Sequence, residues 1–159
     1  MAEVLVQNSE IELDEPTLVE GLPGVGLVGK LAADHLVETL EMDYYGACHC
    51  EGLPEAAVYH EGNQAVQLPV RLYADEARNL LVLQSDVPVS PSSADEFGSC
   101  ITTWIDDIGA TPLYLSGLPT EDKDGVPQMF GVSTGDATTI LDEYGIEAPD
   151  QDGLVSGPT

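Results

Sequence analysis

A glycine-rich turn between an apolar run and a predicted helix constrains the fold of this chain more than any other feature. Thr17 to Leu22 form the apolar run and Pro23-Gly24 ends it, which indicates a strand meeting a turn. A helix is predicted from Val25 to Leu40, since apolar residues recur there at three- and four-residue spacing. These residues are Val28, Leu31, Ala32, Leu36 and Leu40. A strand that turns directly into a helix is typical of α/β folds.

The rest of the chain continues this alternation. Strands are predicted over residues 45–50, 56–60, 65–72, 79–84, 111–116 and 128–133, and helices over residues 94–108 and 136–144. Leu80 to Leu83 is a continuous apolar run, as in a strand covered on both faces. A polar turn is predicted at 121–125. This order of elements predicts an α/β fold whose sheet is partly antiparallel.

The predicted second helix has the clearest boundaries. Ser93-Ala94-Asp95-Glu96 is a capping box, and Gly109 is expected to end the helix. The residues between them place one apolar stripe on the inner face, Phe97, Ile101, Trp104, Ile105 and Ile108. We expect Trp104 to pack against the sheet beneath Leu80 to Leu83. Asp136 is expected to cap the third helix in the same way.

The glycine segment, Gly24-Val25-Gly26-Leu27-Val28-Gly29-Lys30, allows three interpretations. Its G-x-G-x-x-G pattern between a strand and a helix matches a dinucleotide-binding turn. It nearly matches a Walker motif, but Leu31 stands where the hydroxyl that holds Mg²⁺ belongs, which argues against an NTPase. The third interpretation, which we favour, is that the glycines let strand, turn and helix pack closely. Gly24, Gly26, Gly29 and Lys30 are therefore only weak candidates for a cofactor-binding site, and no cofactor is predicted.

The cysteines do not form a metal or catalytic motif. Cys48-His49-Cys50 resembles a metal site at first sight, but on a strand His49 points away from both cysteines and no second ligand pair follows. Cys100 lies within the second predicted helix and needs a base to act as a nucleophile, which no neighbour in the sequence supplies. Buried thiols are the interpretation that we favour, and no metal is predicted.

The remaining polar candidates also have structural interpretations. His35 falls beside Leu31 and Ala32, which predicts a core histidine, and His60 closes a strand at its rim. Ser90, Ser92 and Ser93 follow a buried strand, where α/β sheets place ligand sites, but they also serve to cap a helix. No catalytic residue is predicted, and the chain is not expected to be an enzyme.

The charge of the chain indicates the medium for which its surface is built. There are 29 acidic residues against four basic ones, a formal net charge of −25. Such a surface repels itself in dilute buffer, whereas a Debye length of ~3 Å at 1 M salt screens most of that repulsion. We therefore predict a halophilic protein with an acidic surface. Binding to nucleic acid or to an anionic membrane is not expected, because both need clustered Lys and Arg.

Compartment and domain organisation follow from smaller signals. Three cysteines, an odd number, do not make a disulfide framework, and residues 1–8 lack the basic and apolar regions of a secretory signal. We expect a reduced, cytoplasmic protein. Residues 1–159 are predicted to form a single α/β domain. Residues 154–159 read as a strand that runs into a turn, so we expect this domain to be the front part of a longer protein.

A family resemblance emerges from these residues. Glu20-Gly21-Leu22-Pro23-Gly24-Val25-Gly26-Leu27-Val28-Gly29 resembles the opening signature of the proteasome assembly chaperone two family. The resemblance continues at four further places, which are Ser90-Pro91, Gly117-Leu118-Pro119-Thr120, Tyr144-Gly145-Ile146 and Ser156-Gly157-Pro158-Thr159. It therefore extends over nearly the whole chain.

The resemblance implies more than composition and periodicity do. It implies a three-layer α/β/α sandwich with a mixed sheet, related in shape to purine nucleoside phosphorylases. It also implies self-association into a homo-oligomer and an assembly role with proteasome α-subunits. We therefore expect a non-enzymatic assembly chaperone or scaffold. Two alternatives stay open: a small-molecule or nucleotide-binding protein that uses the Gly24–Lys30 loop, and a phosphorylase-like enzyme.

The net charge leads to a prediction about stability. The midpoint of thermal unfolding should rise by many degrees between ~0.1 and ~2 M KCl, because screening removes most of the self-repulsion over that range. Differential scanning calorimetry at a series of KCl concentrations checks this expectation. A midpoint that stays flat or falls with salt would contradict it.

Overall fold

The computed structural model describes residues 3–119 and 125–155. The contacts of the chain divide it into two compact units, one that contains residues 3–119 and one that contains residues 125–155. The first unit holds six strands: β1 Glu3–Val6, β2 Thr17–Gly21, β3 Asp43–His49, β4 Val70–Asp75, β5 Leu80–Ser85 and β6 Thr111–Tyr114. It also holds helices α1, Val28–Thr39, and α2, Ala94–Ile108. The second unit contains the short helix α3, Ala137–Glu143.

The strands form one mixed sheet in the order β1-β3-β4-β5-β2-β6. β2 is parallel to both of its neighbours, with Leu18 opposite Leu81 of β5 and Pro112 of β6. The pairs β5–β4, β4–β3 and β3–β1 are antiparallel. The predicted α/β fold with a partly antiparallel sheet is thus confirmed. β1 was not predicted from the sequence.

The two faces of the sheet carry one helix each. On one face Leu18, Leu81 and Leu83 pack with the α2 residues Phe97 and Ile101. On the other face the intervening residues Val19 and Val82 pack with Ala33 of α1. Because side chains alternate along a strand, β2 and β5 each contribute to both cores. The prediction that β5 is a strand covered on both faces is therefore confirmed.

Some predicted strands differ from the observed ones. The segments 56–60 and 65–72 form no strand before Val70; between them lies a single bridge, Val58 to Gln67. The segment 128–133 contributes one bridge, Phe130 to Glu147, rather than a strand. β6 is an edge strand with largely exposed side chains, not a buried one. A short apolar run does not by itself determine a strand, because strand formation also depends on pairing with a neighbouring strand. The predicted turn at 121–125 and the end of the chain at 156–159 lie mainly or wholly outside the described residues.

α2 agrees with its predicted stripe. Phe97, Ile101 and Ile105 are buried, and Trp104 and Ile108 are partly buried against the same cluster. Gly109 ends the helix in a left-handed conformation, with φ of 65°. The capping box does not form, because the Ser93 side chain makes no cap hydrogen bond and its Oγ lies 2.8 Å from that of Ser90. Asp136 likewise precedes α3 without capping it through its side chain.

The buried face of α1 agrees only in part with the predicted one, since the predicted Leu36 and Leu40 pack against the core whereas the first predicted residues do not. Gly29 and Ala33 are its buried residues, whereas Val28 and Leu31 are 46% and 61% exposed. Small residues on the inner face let the helix lie close to β2, and this turns the larger apolar residues outward. His35, predicted as a core histidine, is exposed, with its ring nitrogen Nδ1 3.4 Å from Thr39 Oγ1.

Cys50 and Cys100 form a disulfide, with their Cα atoms 6.3 Å apart. The prediction of reduced thiols is therefore wrong for this pair, while Cys48 is a buried free thiol as expected. The fold joins the end of β3 to the second turn of α2 across 50 residues of sequence. No local spacing pattern shows such a pairing, since cysteine connectivity depends on tertiary contacts.

Phe97 gives a test of the α2 core. Phe97→Ala removes a side chain that is 1% exposed and should lower the free energy of unfolding by about 3 to 5 kcal/mol. Thr102→Ala, an exposed substitution on the same helix, should change it by less than about 0.5 kcal/mol. Urea unfolding of both variants in molar KCl checks the difference. Equal midpoints for the two variants would show that α2 does not cover this face.

Candidate functional site

The carboxyl ends of the parallel strands are the part of the fold where several unusual features meet. β2, β5 and β6 all end at the same edge of the sheet, which is where open α/β sheets bind ligands. The antiparallel strand β4 begins at this edge, at Val70. The glycine segment leaves β2 here, and Asp86 follows β5 here.

Close packing of backbone fixes the glycine segment against the sheet. A Cβ on Gly21 would collide with the Ala33 side chain and lie 2.5 Å from the Gly29 carbonyl oxygen. A Cβ on Gly29 would lie 2.6 Å from the carbonyl oxygen of Leu115. These two glycines are therefore required where β2, α1 and the segment after β6 meet. Gly29 has the packing geometry that the third interpretation of the motif predicts.

The other two glycines of the motif have different surroundings. Gly26 adopts a left-handed conformation with φ of 65°, and Leu27 follows it with φ of 56°. A short 3₁₀ turn, Val25–Leu27, precedes α1, so the α-helix begins at Val28 rather than at the predicted Val25. Gly24 has an extended conformation, and a Cβ on it would approach nothing closer than 4.0 Å. Gly24, Gly26 and Gly29 thus have three different conformations and surroundings, and they do not form a single turn of uniform geometry around a phosphate.

Lys30 is held by acidic side chains. Its Nζ lies 2.8 Å from Asp34 Oδ2 and 3.6 Å from Asp86 Oδ1. Asp34 also accepts a hydrogen bond from the side-chain amide of Gln84. The Lys30 ammonium group is therefore engaged between two carboxylates. Whether the Gly24–Lys30 loop binds a ligand stays a prediction.

Lys30 belongs to a larger charged cluster, made of Lys30, Asp34, Arg71, Gln84 and Asp86. The Arg71 side chain is 2% exposed, and its Nη1 lies 2.7 Å from Asp86 Oδ2. The same Nη1 donates to the Leu68 carbonyl oxygen at 3.1 Å, and Nε donates to the Tyr73 hydroxyl at 3.3 Å. Asp86 thus joins two of the four basic residues of the chain. A buried arginine is tolerated because its partners satisfy its charge and its donors.

Arg71 and Asp86 were not predicted as site residues. A basic residue inside the apolar run 65–72 was the available signal for Arg71, since an unpaired charge is costly in a core. Asp86 directly follows a buried strand, where ligand-binding and positioning residues often lie. Neither signal identifies the partner, because the two residues are brought together by the antiparallel pairing of β4 and β5.

Glu20 lies at the same edge but on the opposite face. It is 3% exposed, its Oε1 accepts the Leu22 N–H at 3.0 Å, and its Oε2 has no hydrogen-bond partner among the described residues. Burial raises the pKa of Glu20 to about 7, although the Leu22 N–H opposes the shift. Desolvation has the larger effect, because burial disfavours the ionised form of the carboxyl more than one N–H donor favours it.

Exposed apolar side chains surround the glycine segment. Val25, Leu27, Val28 and Leu31 are each between 46% and 61% exposed. The segment after β6 lies against them, because a Cβ on Gly117 would meet the Val25 carbonyl oxygen and the Val28 side chain. β6 adds the exposed Leu113, whose register partner Val19 lies on the α1 face, and the segment after β6 adds the exposed Leu118. We call these six residues, Val25, Leu27, Val28, Leu31, Leu113 and Leu118, the apolar patch.

The remaining sequence candidates do not gather into a site. Among residues 3–119 and 125–155, no group of His, Cys, Asp and Glu has the arrangement of a metal site. His60 Nε2 lies 3.8 Å from Asp86 Oδ2, at the margin of the charged cluster. Ser90 contacts Ser92 and Ser93 through hydroxyl hydrogen bonds of 2.9 and 2.8 Å, at the start of α2. In the described part of the chain no helix is long and apolar enough to cross a membrane.

Comparison with known sequences identifies related proteins. A sequence model of the PAC2 family matches residues 18–159. An uncharacterized protein of Methanocaldococcus jannaschii is 31% identical over 86 residues, which cover 54% of this chain and 34% of that protein. A second uncharacterized protein of the same organism is 27% identical over 107 residues, which cover 66% of this chain and 42% of that protein. The matches thus span less than half the length of either relative.

Solved structures have the same fold. Pyrococcus furiosus PbaA, described as an archaeal homolog of proteasome-assembly chaperone, superposes with a TM-score of 0.83 at 22% identity, over 99% of this chain and 67% of that chain. P. furiosus PbaB, described as an archaeal proteasome activator, gives a TM-score of 0.77 at 23% identity, over 99% and 71% of the two chains. A Thermoplasma acidophilum protein of unknown function gives 0.74 at 27% identity, over 91% and 59%.

The buried Glu20 carboxyl predicts a pH dependence of stability. Its pKa is raised from 4.5 to about 7, so its favourable contribution is complete below pH 4.5 and is lost as the pH rises through 7. The loss should amount to about 3 kcal/mol, because ionisation then leaves a buried charge. Glu20→Gln should remove this dependence.

Urea unfolding at pH 5 and pH 8 in molar KCl measures the effect. The stability advantage of Glu20→Gln over the natural chain should be larger at pH 8. Glu38→Gln, an exposed substitution in α1, controls for the loss of one negative charge. If both variants respond equally to pH, folding does not raise the pKa of the Glu20 carboxyl.

Proposed function

The chain belongs to the PAC2 family, and from that premise we propose that it is a non-enzymatic, cytoplasmic proteasome-assembly chaperone or scaffold. Its work is to bind other protein chains rather than to transform a small molecule. The structural likeness to PbaA and PbaB, whose descriptions concern proteasome assembly and activation, supports this proposal. Its proposed partners are a second copy of itself and proteasome α-subunits.

The apolar patch is the observation that carries this proposal. Val28 and Leu31 are one turn apart on the same face of α1, so their exposed side chains are neighbours. Apolar side chains that cluster at the surface, rather than standing singly, mark sites of protein interaction. Here the cluster joins a helix start to β6, which is an edge strand of the sheet that the described residues form, and edge strands are places where another strand can be added.

The charge of the chain gives the patch its importance. Two copies that each carry a formal charge of −25 repel one another over most of their surfaces. All six patch residues are uncharged, so contact between two such patches does not place carboxylates of the patch against one another. Molar salt screens the repulsion that remains. A homo-oligomer built through this patch is therefore compatible with the acidic surface.

The glycine loop gives less support to the ligand-binding alternative. Gly29 faces the carbonyl oxygen of Leu115, a group that repels an anion, and Lys30 is already engaged by Asp34 and Asp86. A phosphate site needs backbone N–H groups that converge on free space beside an available cation. The loop has instead the geometry expected of a backbone junction.

The double substitution Val28→Ser/Leu31→Ser tests the proposal. Both side chains are exposed, so folding should be preserved while apolar contact area is lost. Association with a second copy and with proteasome α-subunits should weaken by about tenfold or more, which corresponds to at least 1.4 kcal/mol. Sedimentation equilibrium and co-purification, both in molar KCl, provide the measurements.

Val66→Ser/Leu154→Ser is the matched control, because it removes the same two residue types from exposed positions outside the patch. This control should associate as the natural chain does. If the control and the patch variant weaken association equally, the effect is one of general hydrophobicity. If neither weakens it, the patch is not the binding surface.

A further inference from the structure

We propose that the Cys50–Cys100 disulfide is a redox-controlled anchor that holds residues 51–69 against the start of α2. The bond joins the residue after β3 to the second turn of α2. It lies at the start of the long connection between β3 and β4, which we call the root of the connection, so it controls how firmly that connection is attached. The anchor acts within the chain, whatever protein partner the chain binds.

Most of the connection is exposed to solvent. Between residues 51 and 66 only Leu53 and Val58 are even partly buried. Regular pairing within it is limited to the bridge between Val58 and Gln67. An exposed segment with few buried apolar contacts lies at the low end of local stability. A covalent anchor at one end therefore has a large influence on its order.

The anchor fixes contacts at both ends of the connection. At the root, a Cβ on Gly52 would lie within 3 Å of the Ser93 side chain and 3.1 Å from Glu96 Oε2, so the backbone here lies directly on the first turn of α2. Further along, His60 Nε2 lies 3.8 Å from Asp86 Oδ2, at the margin of the charged cluster. Loss of the anchor should loosen the root first and then the position of His60.

The disulfide is accessible from one side. Cys100 is partly buried and lines a surface groove of about 650 Å³, together with Trp104 and acidic residues of α2. Cys50, by contrast, is 5% exposed. Cys100 is therefore the cysteine of the pair that an external dithiol meets from the groove, whereas Cys50 is buried.

The electrons balance with an external dithiol as the reductant. One of its thiolates attacks Cys100 Sγ, the S–S bond breaks, and Cys50 leaves as a thiolate that takes up a proton. The second thiol of the reductant then attacks the mixed disulfide and releases Cys100, so the dithiol ends as a disulfide and the protein holds two thiols. A disulfide oxidant of the same class reverses both steps.

The third cysteine does not interfere with this exchange. Cys48 is 2% exposed, and burial raises the pKa of its thiol to about 12. A thiol in that environment supplies almost no thiolate at neutral pH, so it does not attack the neighbouring disulfide. The pair Cys50–Cys100 can thus open and close without rearranging to Cys48. In a reducing compartment, as the sequence predicts for this chain, disulfides are usually transient or redox-sensing.

Amide hydrogen exchange of the full chain in molar KCl, with and without dithiothreitol, tests the anchor. Reduction should raise the number of alkylatable thiols in the denatured protein from one to three. It should also speed exchange in peptides from residues 51–69 by about tenfold or more, while peptides of β5 keep their protection. Cys50→Ser/Cys100→Ser should exchange at the faster rate in both conditions, and Cys48→Ala should respond as the natural chain does.

Three results would overturn the proposal. The bond could resist reduction in the folded protein. It could open without faster exchange in residues 51–69. Opening it could speed exchange in β5 by the same factor, which would make the disulfide a general structural bond. The reduction arm needs no substitution, so the test stands even if the double serine variant does not fold.

Discussion

The structure depends on the close approach of α1 to β2. Gly21, Gly29 and Ala33 have no side chain larger than a methyl group, and the backbones of strand and helix touch there. A helix held so near to the sheet cannot bury large residues at its start, so Val28 and Leu31 face outward. The same approach leaves the segment after β6 resting on Gly29. One packing constraint thus places the exposed apolar residues at this edge of the sheet.

At the same end of the sheet, two of the four basic residues of the chain share one acidic partner. Arg71 and Lys30 both lie against Asp86 on the α1 face, where burial is compensated by ion pairing. On the α2 face the Glu20 carboxyl is buried, its Oε2 has no hydrogen-bond partner among the described residues, and burial raises its pKa. With four basic residues for 29 acidic ones, most carboxylates must remain in solvent. Glu20 lies in β2 directly before the glycine segment and accepts the Leu22 N–H. Protonation of its carboxyl should therefore affect the packing of that segment.

Much of the fold could be predicted from sequence, because the decisive signals were local. The apolar run of β5 and the stripe of α2 required only periodicity, and the glycine segment marked the junction of β2 and α1. The inner face of the first turns of α1 was misjudged, since hydrophobicity favours Leu31 whereas Gly29 and Ala33 are the residues buried against the sheet there. The Arg71–Asp86 pair and the Cys50–Cys100 bond depend on the order of the strands in the sheet. That order cannot be read from any short stretch of sequence.

Association between acidic surfaces through an apolar patch should respond to salt in the opposite way from association through ion pairs. Added salt weakens attraction between opposite charges, so an ion-paired complex dissociates as ionic strength rises. Here the long-range force between two copies is repulsive, and salt removes it while leaving apolar contact in place. Association through the patch should therefore strengthen with salt. The acidic composition, which is predicted to make folding dependent on salt, would then also restrict assembly to salty conditions, without any residue dedicated to sensing salt.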